Sequence, residues 1–106
     1  MMPNLERRQT VAKITIVAKV VAKKVAVDAV KTELLKLILP TRSESGCIEY
    51  RLHQDNQDPA VFFFYETWES DVSLAKHIST DHYKAYVRAV SEMIEDKVVH
   101  KMTGIE

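Results

Sequence analysis

Two histidines, a strand-borne glutamate and a tryptophan are the side chains of this sequence best suited to proton chemistry. His77 and His82 lie in the segment His77-Ile78-Ser79-Thr80-Asp81-His82. Imidazole titrates near neutrality, so either ring can act as a base or a hydrogen-bond partner. His77 is the candidate base. His82, beside an expected helix start, reads as a structural group or a pocket wall. Residues five apart on an unbroken helix point about 140° away from each other. Ser79-Thr80 is expected to break the helix, which leaves the relation of the two rings open. Zinc-binding helices pair histidines at i and i+4 and recruit further ligands, so this spacing predicts no metal site.

Glu66 and Trp68 share one strand face with Phe62 and Phe64. A carboxylate there needs a partner or water, because a buried charge is costly. Two arrangements satisfy it: a wet strand end where Glu66 pairs with a lysine, or Glu66 beside His77, orienting the ring and raising its pKa. Glu66 is therefore the second catalytic candidate. The indole N–H of Trp68 requires an acceptor, and Tyr50 and Tyr65 read as core residues whose polar tips can touch a ligand. Phe64 and Trp68 would hold a flat ring. Arg42 and Glu44 are expected to form a surface ion pair of little energetic weight. His53 and His100 read as solvated strand positions.

Other chemistries lack their residues. The only glycines are Gly46 and Gly104, so there is no phosphate-cradling loop, no Rossmann-type flavin or nucleotide site, and no Gly-x-Ser-x-Gly elbow. No cofactor is predicted. The lone Cys47 cannot form an internal disulfide and reads as a small, quiet, buried thiol. Lys plus Arg equals Asp plus Glu, at 15 each, so no net field attracts nucleic acid or anionic lipid.

These side chains need a scaffold, and 106 residues with 46% hydrophobic and 28% charged content suit one folded domain. Met1 to Thr10 reads as a tail without the apolar core of a signal peptide, and no apolar run nears the roughly 20 residues of a membrane span. A cytoplasmic domain over residues 11–106 is expected. Val11 to Ala22 is rich in β-branched residues and predicts a first strand. Val27, Val30, Leu34, Leu37 and Ile38 recur at helical spacing, with a stop near Leu39 before Pro40. Strands are predicted at Cys47 to Gln54 and Ala60 to Glu69, joined by the turn-rich Asp55-Asn56-Gln57-Asp58-Pro59. Ser70 would cap a short helix through His77, and Thr80 a longer one to about Glu95, buried along Tyr83, Val87, Val90 and Ile94. Lys97 to Met102 predicts the last strand.

The order βαββαβ is that of a ferredoxin-like α+β fold. Two helices can cover only one face of a four-stranded sheet, yet the first and third strands are apolar on both. A second copy of the chain is the simplest cover, so a homodimer is expected.

Three stretches in this order resemble the antibiotic biosynthesis monooxygenase (ABM)-like family, which includes quinol monooxygenases. They are Pro40-Thr41-Arg42-Ser43-Glu44-Ser45-Gly46-Cys47-Ile48-Glu49-Tyr50, Phe64-Tyr65-Glu66-Thr67-Trp68-Glu69-Ser70 and His77-Ile78-Ser79-Thr80-Asp81-His82-Tyr83. The resemblance implies a dimeric α+β barrel with a pocket in each protomer between sheet and helices. It implies oxidation of a quinol or related phenol by oxygen without metal or flavin, with His77 as base and Trp68 as a donor to the phenolate. Haem-degrading relatives use an Asn on the first strand, and Val11 to Ala22 has none. The alternative is a non-oxygenase member of the same fold, an isomerase of a small carbonyl metabolite or a ligand-binding protein.

Overall fold

The computed structural model describes residues 12–106; the tail expected at Met1 to Thr10 lies outside them. The chain runs β1 (Ile14–Ala22), a 3-10 turn (Lys24–Ala26), α1 (Val27–Lys36), α2 (Ile38–Arg42), β2 (Cys47–Gln54), β3 (Val61–Trp68), α3 (Asp71–Ile78), α4 (Asp81–Val90) and β4 (Ile94–Met102). The four strands form one antiparallel sheet in the order β2-β3-β1-β4. This is the ferredoxin-like α+β arrangement. No helix among the described residues is long and apolar enough to cross a membrane.

Alternation on the two central strands decides the layers. Ile14, Ile16, Ala18, Val20 and Ala22 of β1 are buried, as are Phe62, Phe64, Glu66 and Trp68 of β3. Registered pairing places these two sets side by side on the inner face. Val30 and Leu34 of α1, Leu37, and Tyr86 and Val90 of α4 close the core over them. The opposite face carries Val17, Val21, Val61, Phe63 and Tyr65, with Val98 and Met102 on β4. Tyr65 is 41% exposed there.

Pro40 does not end the helical region. The first helix stops at Lys36, and Pro40 occupies the first turn of α2, where its missing N–H has no intrahelical acceptor to lose. α4 ends at Val90, earlier than expected, because the chain is captured by the sheet. Lys23 N donates to Met93 O at 2.8 Å, and Ile94 pairs with Ala22. The buried face of α4 is therefore Tyr86 and Val90; Tyr83 is half-buried, Val87 exposed and Ile94 already strand. Ser70 and Thr80 cap as expected, accepting from Ser73 N and Tyr83 N. The Arg42–Glu44 surface pair does not form. Arg42 instead donates from Nε and Nη2 to the carbonyl of Tyr50, at 3.0 and 2.9 Å.

Gly46 lets β2 approach α3 closely. A Cβ placed there would lie 2.0 Å from Ser73 Oγ and 2.3 Å from Ser73 Cβ. The Gly46 carbonyl also accepts from Glu69 N at 2.9 Å, so the backbone cannot simply swing away. Gly46→Ala should destabilise the protein by about 1–3 kcal/mol through overpacking. Adding Ser73→Gly should recover part of that loss in urea melts, since it removes both clashing side-chain atoms.

Candidate active site

A cavity of about 500 Å³ lies between the inner sheet face and the helices. β3 contributes Phe64 and Glu66, β2 contributes Tyr50, and β4 contributes Lys97; α3 brings His77, and α4 brings Tyr83 and Tyr86. Tyr50 stacks on Phe64 at 4.5 Å between centroids, giving a flat apolar floor. The imidazole of His77 packs between Trp68 and Tyr83, at 4.7 and 5.0 Å. Lys97 Nζ donates to the Tyr83 hydroxyl at 3.1 Å.

His77 is 3% exposed, and its Nδ1 lies 2.8 Å from Glu44 Oε2. The Nε2 of His82 lies 2.6 Å from the same carboxylate oxygen. Among the described residues Nε2 of His77 has no hydrogen-bond partner, and the ring lines the cavity. Burial lowers the His77 pKa below its ordinary 6.5, against the pull of Glu44, so the ring is neutral at pH 7. Glu44 Oε2 accepts the hydrogen bond from Nδ1–H, which fixes the tautomer whose lone pair is on Nε2. A carboxylate holds the histidine of a hydrolase triad by the same logic.

Glu66 accepts from Trp68 Nε1 through Oε1 at 2.8 Å and is 5% exposed. Desolvation pushes its carboxyl up to about 7, against that hydrogen bond and the attraction of Lys97. The cavity thus holds two buried titratable groups, an imidazole whose pKa is lowered by burial and a carboxyl whose pKa is raised to about 7. Desolvation also raises the phenols of Tyr50 and Tyr86, that of Tyr86 to about 12, so both are neutral donors.

The sequence profile described as antibiotic biosynthesis monooxygenase matches residues 13–89, which span the cavity-lining strands and helices except β4. The chain belongs to the antibiotic biosynthesis monooxygenase family. Among solved structures it is similar to PA3566 from Pseudomonas aeruginosa, at 28% identity and a TM-score of 0.87 over 92% of this chain and 98% of that one. A crystallised antibiotic biosynthesis monooxygenase is 29% identical, with a TM-score of 0.83 over 88% and 99% of the two chains. The uncharacterized protein sll1783 of Synechocystis is 32% identical over 54% of this chain. That match spans only 39% of the Synechocystis protein.

In this ABM-family chain, Tyr50, Phe64, Glu66 and His77 meet in the cavity. Three other expected pocket residues stand elsewhere. Tyr65 points to the opposite sheet face, as strand alternation from Phe64 requires. Trp68 is fully buried behind His77, and its N–H is already given to Glu66, so it is no donor to a ligand. His82 lies outside the cavity lining and reaches His77 only through Glu44. Glu66 does not orient His77, and among the described residues it forms no ion pair; Trp68 holds it and Glu44 holds the ring. Sequence reasoning missed the role of Glu44, along with Tyr83, Tyr86 and Lys97 as wall residues. Cys47 is partly buried, and burial pushes its thiol up to about 11, which leaves little thiolate at neutral pH.

Glu66 supplies a stability test. Its folded pKa of about 7 exceeds the ordinary 4.5, so folding takes up a proton. Stability from this group is full below pH 4.5 and is lost as pH rises through 7. Glu66→Gln should keep the Trp68 bond and raise stability by roughly 2–3 kcal/mol at pH 8 while changing little at pH 4. Paired urea melts at the two pH values check this.

Proposed function

We propose that this ABM-family chain is a cytoplasmic, cofactor-independent monooxygenase of a quinol or related small phenol, working as a homodimer. The observation that carries the reading is His77, a wall residue of an aromatic cavity whose Nδ1 is pinned to a carboxylate, which leaves Nε2 without a partner among the described residues. The ring of the substrate would lie on Tyr50 and Phe64. Its hydroxyl proton passes to Nε2, and the Glu44 carboxylate stabilises the imidazolium that forms.

The phenolate then supplies electrons to oxygen. A hydroquinone and one O₂ give a hydroxylated quinone and water: one oxygen atom forms the new C–O bond, the other leaves as water, and the proton held on His77 returns to the departing oxygen. A phenol near pKa ~10 and a histidine at or below ~6.5 make the first transfer roughly 5 kcal/mol uphill or more. Hydrogen bonds from the Tyr83 and Tyr86 hydroxyls and the charge of Lys97 offset part of that by stabilising the phenolate.

Glu66 favours a second reading. A cavity carboxyl titrating near 7 suits proton abstraction beside a carbonyl, the chemistry of a small-metabolite isomerase. Oxygen uptake separates the two readings, and its pH profile separates the two candidate bases. If His77 is the base, oxygen uptake with a hydroquinone panel rises through a limb below pH 6.5, and His77→Ala removes the limb and lowers turnover about 10²-fold or more. A limb near pH 7 that survives in folded His77→Ala and vanishes in Glu66→Gln assigns the proton transfer to Glu66 instead. No oxygen uptake across the panel would remove the oxygenase reading.

The outer sheet face supports the homodimer, since Val17, Phe63, Tyr65 and Val98 present apolar bulk there, away from the helices. Light scattering at micromolar concentration should give twice the chain mass. Phe63→Asp should give a monomer or a strongly destabilised chain, because a charge would be buried against the partner. A parent protein of single-chain mass would overturn the assembly.

A further inference from the structure

We infer that Glu44, His77 and His82 form a chelating site for a divalent transition-metal ion, on the side of His77 away from the cavity. The three residues come from three places: the connection before β2, the last turn of α3 and the first turn of α4. One ligand atom from each lies within 4.8 Å of the other two. Two imidazoles and a carboxylate are a borderline donor set that suits Zn²⁺ and its first-row neighbours.

The nitrogens are already aimed. Nδ1 of His77 and Nε2 of His82 both point at Glu44 Oε2, from 2.8 and 2.6 Å. A tetrahedral ion with bonds of about 2.0–2.2 Å holds its ligand atoms roughly 3.3–3.5 Å apart. Entry of the ion therefore asks the carboxylate to withdraw by less than about 1 Å and the two ring nitrogens, which lie within 4.8 Å of each other, to close to the same spacing around the cation. Packing on Trp68 and Tyr83 fixes the plane of His77. The side chains of His82 and Glu44 are 25% and 14% exposed, which gives an entry path and places a water in the fourth position.

Binding redistributes protons within the rings. Each neutral imidazole keeps one proton, which moves from the nitrogen facing the metal to the opposite one: Nε2 of His77 and Nδ1 of His82. Nε2 of His77, the base in the proposed oxygenase reading, then becomes a donor. Metal loading and the base role proposed above exclude each other, so the ion would act as an inhibitor of that activity. Protons compete with the metal for the same ligand atoms, so affinity falls as pH falls.

Tag-free protein stripped with a chelator and titrated with Co²⁺ tests the site. The expected result is one ion per chain, the intense visible bands of four-coordinate Co²⁺, and their loss on adding Zn²⁺. Glu44→Gln and His82→Ala, checked for folding by circular dichroism, should each weaken binding about tenfold or more. His53→Ala, at an exposed strand position, should bind like the parent. Zn²⁺ should raise the Tm of the parent but not of His82→Ala. Absence of the bands, or unchanged binding in the two folded site variants, would overturn the inference and leave a hydrogen-bonded cluster. These readouts need no turnover, so failure of the site and failure of the oxygenase reading are separate results.

Discussion

One carboxylate oxygen joins three parts of this molecule. Glu44 Oε2 is shared by His77 and His82, which lie 33 and 38 residues further along the chain. Through it the connection before β2 is tied to the end of α3 and the start of α4. The tie is short and partly shielded from water, so it is worth more than an exposed ion pair of the same length. It also decides which nitrogen of His77 the cavity sees. Without Glu44 the ring could present either tautomer, and the wall would have no fixed acceptor.

The corner between α3 and α4 makes the shared contact possible. Thr80 caps α4 by accepting from Tyr83 N and donates its own hydroxyl to the carbonyl of His77 at 2.7 Å. The chain turns between the two histidines, so rings that a continuous helix would hold apart converge. A threonine is well suited to this work because one hydroxyl both accepts and donates.

Local patterns made the fold legible. β-Branched runs gave the strands, helical spacing gave α1, and Ser70 and Thr80 marked the helix starts. The errors fell where non-local capture decides an element's end, as where pairing with Ala22 turns Ile94 into strand. The site was half legible. Alternation put Phe64 and Glu66 on one face, and His77 was recognisable by its chemistry. Glu44 was not, because a loop residue has no periodicity, and its partners are assigned only by how the helices pack. Tyr65 shows the opposite failure: its aromatic ring on β3 suggests a pocket wall, although alternation from Phe64 turns it to the other face.

The sheet order carries a consequence for biosynthesis. β1 is a central strand, yet one of its neighbours is β4, and Thr15 pairs with Met102. A ribosome delivers Met102 long after Thr15. One edge of β1 must therefore wait for β4 before its hydrogen bonds close, with β3 arriving on the other edge well before. Such late, long-range closure slows folding and lengthens exposure to mispairing. The charges that β4 carries at Asp96, Lys97 and Lys101 then suit an outermost strand whose free edge should not recruit another nascent chain.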